Sequence, residues 1–169
     1  MVEKWTEMNE ILTDLLGDLT IAVDELKNFE LSRANGEQQN ESTITAFWRL
    51  CTFSIVINCC KFVELNDKYG QYFKELIPEH NAVRSEFKQA ISNNKSITKL
   101  RNHCVAHVNN KTVYLSRTEV QNEIEIMFGG KYADQFLNWI CPDDIEESEK
   151  TKSLVGVIWM LRDAVSSKL

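Results

Sequence analysis

Residues 100–108, past the middle of this 169-residue chain, read Leu100-Arg101-Asn102-His103-Cys104-Val105-Ala106-His107-Val108. Apolar residues recur here at the three- and four-residue spacing of one helix face, which predicts a helix from about Ser96 to about Asn109. On a wheel of about 100° per residue, the apolar stripe of this helix is formed by Ile97, Leu100, Cys104 and Val108. We expect this stripe to face the core of the protein.

Arg101 and His107 both lie close to the stripe. Arg101 falls inside the arc bounded by Val105 and Val108, so it points toward the core or toward a partner chain, and His107 lies on the other edge. A buried arginine is costly without a partner. In one interpretation Arg101 therefore pairs with a Glu or Asp of another helix, and His107 is a hydrogen-bonded residue at the boundary of the core.

In a second interpretation the two side chains converge on an anion. Arginine offers a fixed fork of donors that suits a phosphate. Histidine gains or loses a proton near neutral pH. Together they form a minimal set of groups for cleaving a phosphodiester without a metal. Asn102 and His103 fall well off the stripe.

The order Arg101-Asn102, four further residues and then His107 resembles the arginine–polar–spacer–histidine motif of HEPN domains. A second stretch, residues 62–70 (Phe-Val-Glu-Leu-Asn-Asp-Lys-Tyr-Gly), is similar to the abortive-infection branch of that family. The resemblance covers residues 5 to about 110. HEPN domains are helical and mostly act as metal-independent ribonucleases in prokaryotic toxin and phage-defence systems, so the resemblance implies that activity here.

The resemblance also implies a homodimer in which two copies of Arg101 and His107 line one cleft across the two-fold axis. The ribose 2′-hydroxyl would attack phosphorus, with His107 as general base or acid and Arg101 stabilising charge on the phosphorane. Asn102 would orient the arginine or the phosphate, and the products would be 2′,3′-cyclic phosphate and 5′-hydroxyl ends. The expected partners are RNA, a second copy of the chain and an antitoxin protein, without a cofactor. Some HEPN toxins carry a tyrosine two residues after the histidine. This chain has Asn109 at that position, so the resemblance does not imply regulation through that tyrosine.

Two other interpretations stay open. The net charge of −6 argues against a broad electrostatic grip on nucleic acid, so RNA would need a local positive cleft. The chain could therefore be a non-catalytic helical module that binds a nucleotide, an RNA or a partner protein. His103 and His107 are four residues apart, as helical metal ligands often are, but no convergent carboxylate at helical spacing stands near, and we expect no metal site.

The composition favours one helical domain. Six glycines and two prolines are too few for the many turns of an all-β fold. We expect an all-α bundle of long antiparallel helices with additional short C-terminal helices. It would form a single HEPN-like domain over residues 1–169, with a core at about 5–110 and a helical extension at about 116–168.

The cysteines and the apolar segments indicate a cytoplasmic protein. Five cysteines lie mostly in apolar segments, where a free thiol behaves as a small apolar side chain in a reducing compartment. The N-terminus does not resemble a signal peptide. The most apolar window, residues 46–63, is interrupted by Arg49, Asn58 and Lys61, so we expect a buried helix and not a membrane span.

Two long helices are predicted before the motif. The first, at about 2–33, carries a heptad seam formed by Trp5, Met8, Leu12, Leu15, Leu19, Ala22, Leu26 and Phe29. The second begins at Ser42 or Thr43, ends at Gly70, and is apolar on nearly every face. Such a helix is central, or lies between its own bundle and a second subunit.

Shorter helices complete the pattern. Residues 72–77 form a short piece ended by Pro78, residues 83–91 mark a third helix, and Ser96 can cap the motif helix. Ser116 or Thr118 begins a helix that runs through Phe128 and ends at Gly129-Gly130. The final helix is lined by Leu154, Ile158, Leu161 and Val165.

Overall fold

The computed structural model describes residues 2–35, 41–105, 115–130 and 133–169. Within these ranges the chain forms helices, turns and loops and no β-strand, which confirms the all-α prediction. The α-helices are α1 (Val2–Ala34), α2 (Glu41–Leu76), α3 (Asn81–Asn93), α4 (Lys95–Leu100), α5 (Arg117–Phe128), α6 (Ala133–Ile140) and α7 (Leu154–Ser166). Two 3-10 turns (Pro78–His80 and Glu147–Lys152) and a π-helical turn (Arg101–Val105) complete the described elements.

Helices α1 and α2 form a long antiparallel pair. Near the start of α1, the Glu7 carboxylate accepts hydrogen bonds from Lys68 Nζ at 2.6 Å and from the Tyr69 hydroxyl, both near the end of α2. The predicted heptad seam is confirmed, because its residues from Met8 to Phe29 are buried and Trp5 packs partly buried against the same core. The seam is covered by α2 on one side and by α7 on the other.

The prediction that α2 ends at Gly70 is wrong. The helix continues without a break to Leu76 and includes all but the last residue of the piece expected at residues 72–77. A glycine inside a helix costs only about 1 kcal/mol relative to alanine. Continuing the helix buries the whole Phe73 side chain in the core, which outweighs that cost.

A buried arginine joins α2 to α3. Arg84 is only 7% exposed, and its guanidinium donates to Asn66 Oδ1 of α2 and, at 2.6 Å, to Asn81 Oδ1 of its own helix. Its Nε has no partner among the described residues, and burial lowers the pKa of the guanidinium. Both acceptors are neutral amides, so this charge is held by hydrogen bonds and by the face of the Phe73 ring, 5.8 Å away.

The prediction for the last helix is confirmed, and a tight turn fixes where that helix begins. Ser153 caps α7 by accepting a hydrogen bond from the Gly156 backbone N–H at 3.1 Å. Gly156 lies against the backbone of Lys150 so closely that a Cβ at residue 156 would lie 2.2 Å from the Lys150 carbonyl oxygen. The predicted lining residues of α7, from Leu154 to Val165, are buried.

The segment Thr45–Leu76 of α2 is long and apolar enough to cross a membrane, by length and composition alone. Its most apolar window has a mean hydropathy of 1.4, and 39% of that window is buried inside the protein. The core helix of a soluble protein meets the same criterion, and here α1, α3 and α4 pack on α2. The fold is thus consistent with a soluble protein, and the cytoplasmic location stays a prediction.

Candidate functional site

The described part of the predicted motif helix is helical, as α4 followed directly by a π-helical turn, and residues 106–109 of the prediction lie outside the described residues. Helix α4 begins at Lys95, capped by the Asn94 side chain, which accepts from the Ile97 backbone N–H at 3.2 Å. Ser96, the cap expected from the sequence, is instead buried inside the structure. After Leu100 the backbone widens into the π-helical turn Arg101–Val105, so the α-helical register of the motif changes at Arg101 itself.

Two residues of the predicted apolar stripe are buried as expected, while the Cys104 side chain and Val108 lie outside the described part of the structure. Ile97 and Leu100 are buried in the main core. They fix α4 against α2, and the π-helical turn that follows packs against α2 as well. Leu100 is buried and comes directly before the turn, so the packing of α4 determines where Arg101 lies on the surface of α2.

Arg101 forms an ion pair with Glu64 of α2 in the same chain, through Nη2 and Oε1. This is the partner from another helix that one interpretation of the sequence required. The pair is not sealed in the core, because 43% of the arginine side chain and 57% of the glutamate side chain are exposed. Arg101 is therefore tethered at the surface and remains accessible to a ligand.

The other predicted site residues lie apart from this pair or outside the description. Asn102 is exposed and His103 is partly exposed on the π-helical turn. His107 and Asn109 fall in residues 106–114, outside the described residues. The proposed roles of Asn102 and His107 therefore stay predictions, and so does the choice between a metal site at His103 and His107 and none. Among the described residues no cluster of His, Cys, Asp and Glu could hold a metal ion.

A cysteine shares the Arg101–Glu64 surface. Cys60 lies one helical turn before Glu64 on α2 and is partly buried. Burial raises the pKa of its thiol, while the nearby positive charge of Arg101 acts in the opposite direction and lowers it. The positive charge of Arg101 therefore acts on the Cys60 thiol as well as on the Glu64 carboxylate.

A groove of about 310 Å³ runs along the α1–α2 seam beside the ion pair. Glu64 lines it together with Lys61 and Lys68 of α2 and Asp14 of α1. The ion pair therefore borders a concave surface. The groove mixes two carboxylates with two ammonium groups, so it is not the uniformly positive cleft that tight binding of RNA by one chain would need.

A buried carboxylate positions the segment that carries Arg101. Glu123 of α5 accepts a hydrogen bond from Ser96 Oγ at 2.8 Å and forms an ion pair with Lys99, both on α4. Glu123 was not among the residues predicted from the sequence. The sequence did contain a signal for it, because Glu123 lies on the same face of α5 as the apolar residues Ile124 and Met127, which are buried.

The Glu123 contacts predict a loss of stability in acid. Hydrogen bonds from Lys99 and Ser96 lower the pKa of the Glu123 carboxyl below its ordinary value of 4.5. The ionised form is therefore favoured in the folded state, and its contribution is complete above about pH 4.5 and is lost as the pH falls through the lowered pKa. We expect Glu123→Gln to lower the melting temperature at pH 7, and the difference from the native chain to shrink toward pH 3. A difference that is equal at both pH values would contradict this.

Neither a protein-family model nor a curated protein matches the chain. Among solved structures the chain is similar to an integron cassette protein from the mobile metagenome of V. paracholerae, Vpc_cass2. The two are 54% identical, the match covers 98% of each chain, and the TM-score is 0.87. The chain therefore belongs to the same protein family as this integron cassette protein.

Proposed function

We propose that the protein is a metal-independent endoribonuclease of a toxin or phage-defence type, acting as a homodimer. The observation that carries the proposal is that the Arg101 side chain is 43% exposed and lies beside Glu64 at one surface. Glu64 belongs to residues 62–70 and Arg101 to residues 100–108, the two stretches on which the resemblance to HEPN domains rests. Glu64 and Arg101 are 37 residues apart in sequence, so two separate segments contribute to one surface.

The geometry of Arg101 supports a role in binding phosphate. A guanidinium has five N–H donors, and the described contact with Glu64 uses Nη2. The remaining donors can meet two phosphate oxygens in the forked arrangement that arginine favours. Glu64 would hold the guanidinium in place before RNA arrives, which reduces the entropy lost when the phosphate binds.

The proposed chemistry needs no redox step or cofactor. The ribose 2′-hydroxyl attacks the adjacent phosphorus as His107 removes its proton, and Arg101 stabilises the added charge on the phosphorane. A protonated His107 donates a proton to the departing 5′-oxygen, which leaves a 2′,3′-cyclic phosphate and a 5′-hydroxyl. Two copies of the chain would supply one histidine for each proton transfer. Asn102, exposed on the same turn, would orient the arginine or the phosphate.

A cleavage assay in a chelator tests the proposal. The purified protein is incubated with a mixed RNA pool in EDTA, and the new ends are analysed. We expect 2′,3′-cyclic phosphate and 5′-hydroxyl ends, because the proposed mechanism uses no metal. Cleavage that stops in EDTA, or 3′-hydroxyl and 5′-phosphate ends, would contradict the mechanism.

A second function is favoured by one specific observation. The Arg101 charge is already paired with Glu64 inside one chain, and the whole chain carries a net charge of −6. A non-catalytic helical module that binds a nucleotide, an RNA or a partner protein such as an antitoxin fits these charges without any need for turnover. Expression in a host separates the two functions: a ribonuclease slows growth and His107→Ala relieves the effect, whereas a binding module that slows growth does so without RNA cleavage.

A further inference from the structure

Helix α2 exposes an apolar row on the side facing away from its own core. Leu50 is 65% exposed and Phe47 is 38% exposed, and Ile57, two turns after Leu50, is only partly buried. These positions lie seven and three residues apart, so they share one face of the helix. Single exposed apolar residues are ordinary, but a row on the longest helix is typical of a surface covered by another protein.

The same face contains a groove with an unsatisfied acceptor. The groove has a volume of about 400 Å³ and is lined by Leu50 and Ile57 together with Asn58, Asp18 and Lys61. Asn58 is 2% exposed, and its Nδ2 donates to the Ser54 carbonyl at 2.9 Å. Its Oδ1 has no hydrogen-bond partner among the described residues. A buried acceptor without a donor costs free energy.

Charge decides what kind of partner fits. Beside this groove the face of α1 carries Asp18, which would repel the phosphates of RNA or of an anionic membrane. Lys61 and Asp18 line the groove, and neither forms an ion pair within the described residues. Among the described residues each copy thus offers an unpaired ammonium and an unpaired carboxylate, so Lys61 of one copy can meet Asp18 of the other and the surface is complementary to itself.

We infer that the Phe47–Leu50–Ile57–Lys61 face of α2 is the surface through which two copies of this chain pair. The face leads directly to the candidate site, because Glu64 lies three residues after Lys61 on the same side of α2. From Phe47 to Glu64 it is about 25 Å long, which suits an interface that buries about 800 Å² per partner. The role of the dimer in RNA cleavage rests on the proposed function, but formation of the dimer is measured without RNA.

Sedimentation velocity of the full chain over the micromolar range tests this inference. We expect a dimer for the native chain and at least a tenfold weaker dimer for Leu50→Glu, which places a charge at the centre of the apolar row. Leu50 is mostly exposed, so circular dichroism and the melting temperature should show an intact fold. Ile126→Glu is the matched control: Ile126 is 58% exposed on α5, and its replacement should leave the dimer unchanged.

A native chain that stays monomeric overturns the inference, and so does a dimer that Leu50→Glu does not weaken or that Ile126→Glu weakens equally. These outcomes are separate from the ribonuclease assay. A dimer that fails to cleave RNA rejects the ribonuclease and retains the surface. A monomer that cleaves RNA rejects the surface and retains the ribonuclease.

Discussion

RNA cleavage by Arg101→Ala is expected to fall by at least about a hundredfold, with the fold intact. Removing a group that stabilises charge in the transition state typically lowers the rate by about 10²–10³. The side chain is 43% exposed and forms a surface ion pair, and such pairs contribute little to stability, so the melting temperature should change by only a degree or two. The measurement is the rate of appearance of cyclic phosphate ends under single-turnover conditions.

Two variants make this experiment specific. Arg101→Lys keeps the charge but loses the fork, so we expect it to remain well below the native rate. Arg49→Ala removes another exposed arginine, about 22 Å along α2 from Glu64, and should leave the cleavage rate unchanged. If Arg101→Ala cleaves as fast as the native chain, Arg101 is not a catalytic residue and the binding module becomes the better explanation.

Gly156→Ala is expected to destabilise the fold by at least about 3 kcal/mol, the upper end of the cost of overpacking a core. The added Cβ would lie 2.2 Å from the Lys150 carbonyl oxygen and 2.8 Å from the Lys150 carbonyl carbon and Cα. These are backbone atoms, so relief requires the turn Glu147–Lys152 to move away from α7. For a chain of this size the melting temperature should fall by about 6–12 °C.

Movement of the turn Glu147–Lys152 away from α7 would also remove the Lys150 side chain from its contacts. Its ammonium is almost buried, pairs with Glu147 at 2.7 Å and lies 4.2 Å from the centre of the Trp159 ring. Gly17→Ala provides the control, because a Cβ at residue 17 of α1 meets nothing within 4 Å. That variant should be neutral or more stable by up to about 1 kcal/mol, through better helix propensity. A similar effect of both substitutions would show that the contact at Gly156 is not responsible.

Local signals in the sequence were sufficient for most of the fold. The seam of α1 depends only on the spacing of apolar residues, and the structure buries it as expected. Ser116 and Glu119 form a reciprocal capping box at the start of α5, and Gly129 ends that helix in the left-handed conformation. These features are decided within a few residues of one another, so a sequence pattern can identify them.

The features that escaped prediction depend on distant residues. Gly70 is a helix-ending signal by itself, and only the burial of Phe73 shows why α2 continues. Glu64 could be expected as some acidic partner of Arg101, but its identity depends on how α4 docks on α2. The change to π-helical geometry at Arg101 likewise has no signal in the local sequence.

The packing of α7 against α1 has a consequence for the newly made chain. Helix α1 is covered by α7, which begins 120 residues after α1 ends, and Ser166 donates a hydrogen bond to Asn9 at 2.7 Å. At about 5–20 residues per second, a ribosome needs roughly 6–24 s to synthesise the intervening residues. For that time one flank of the α1 seam lacks its cover, so the nascent protein is a substrate for chaperones and proteases until its last helix emerges.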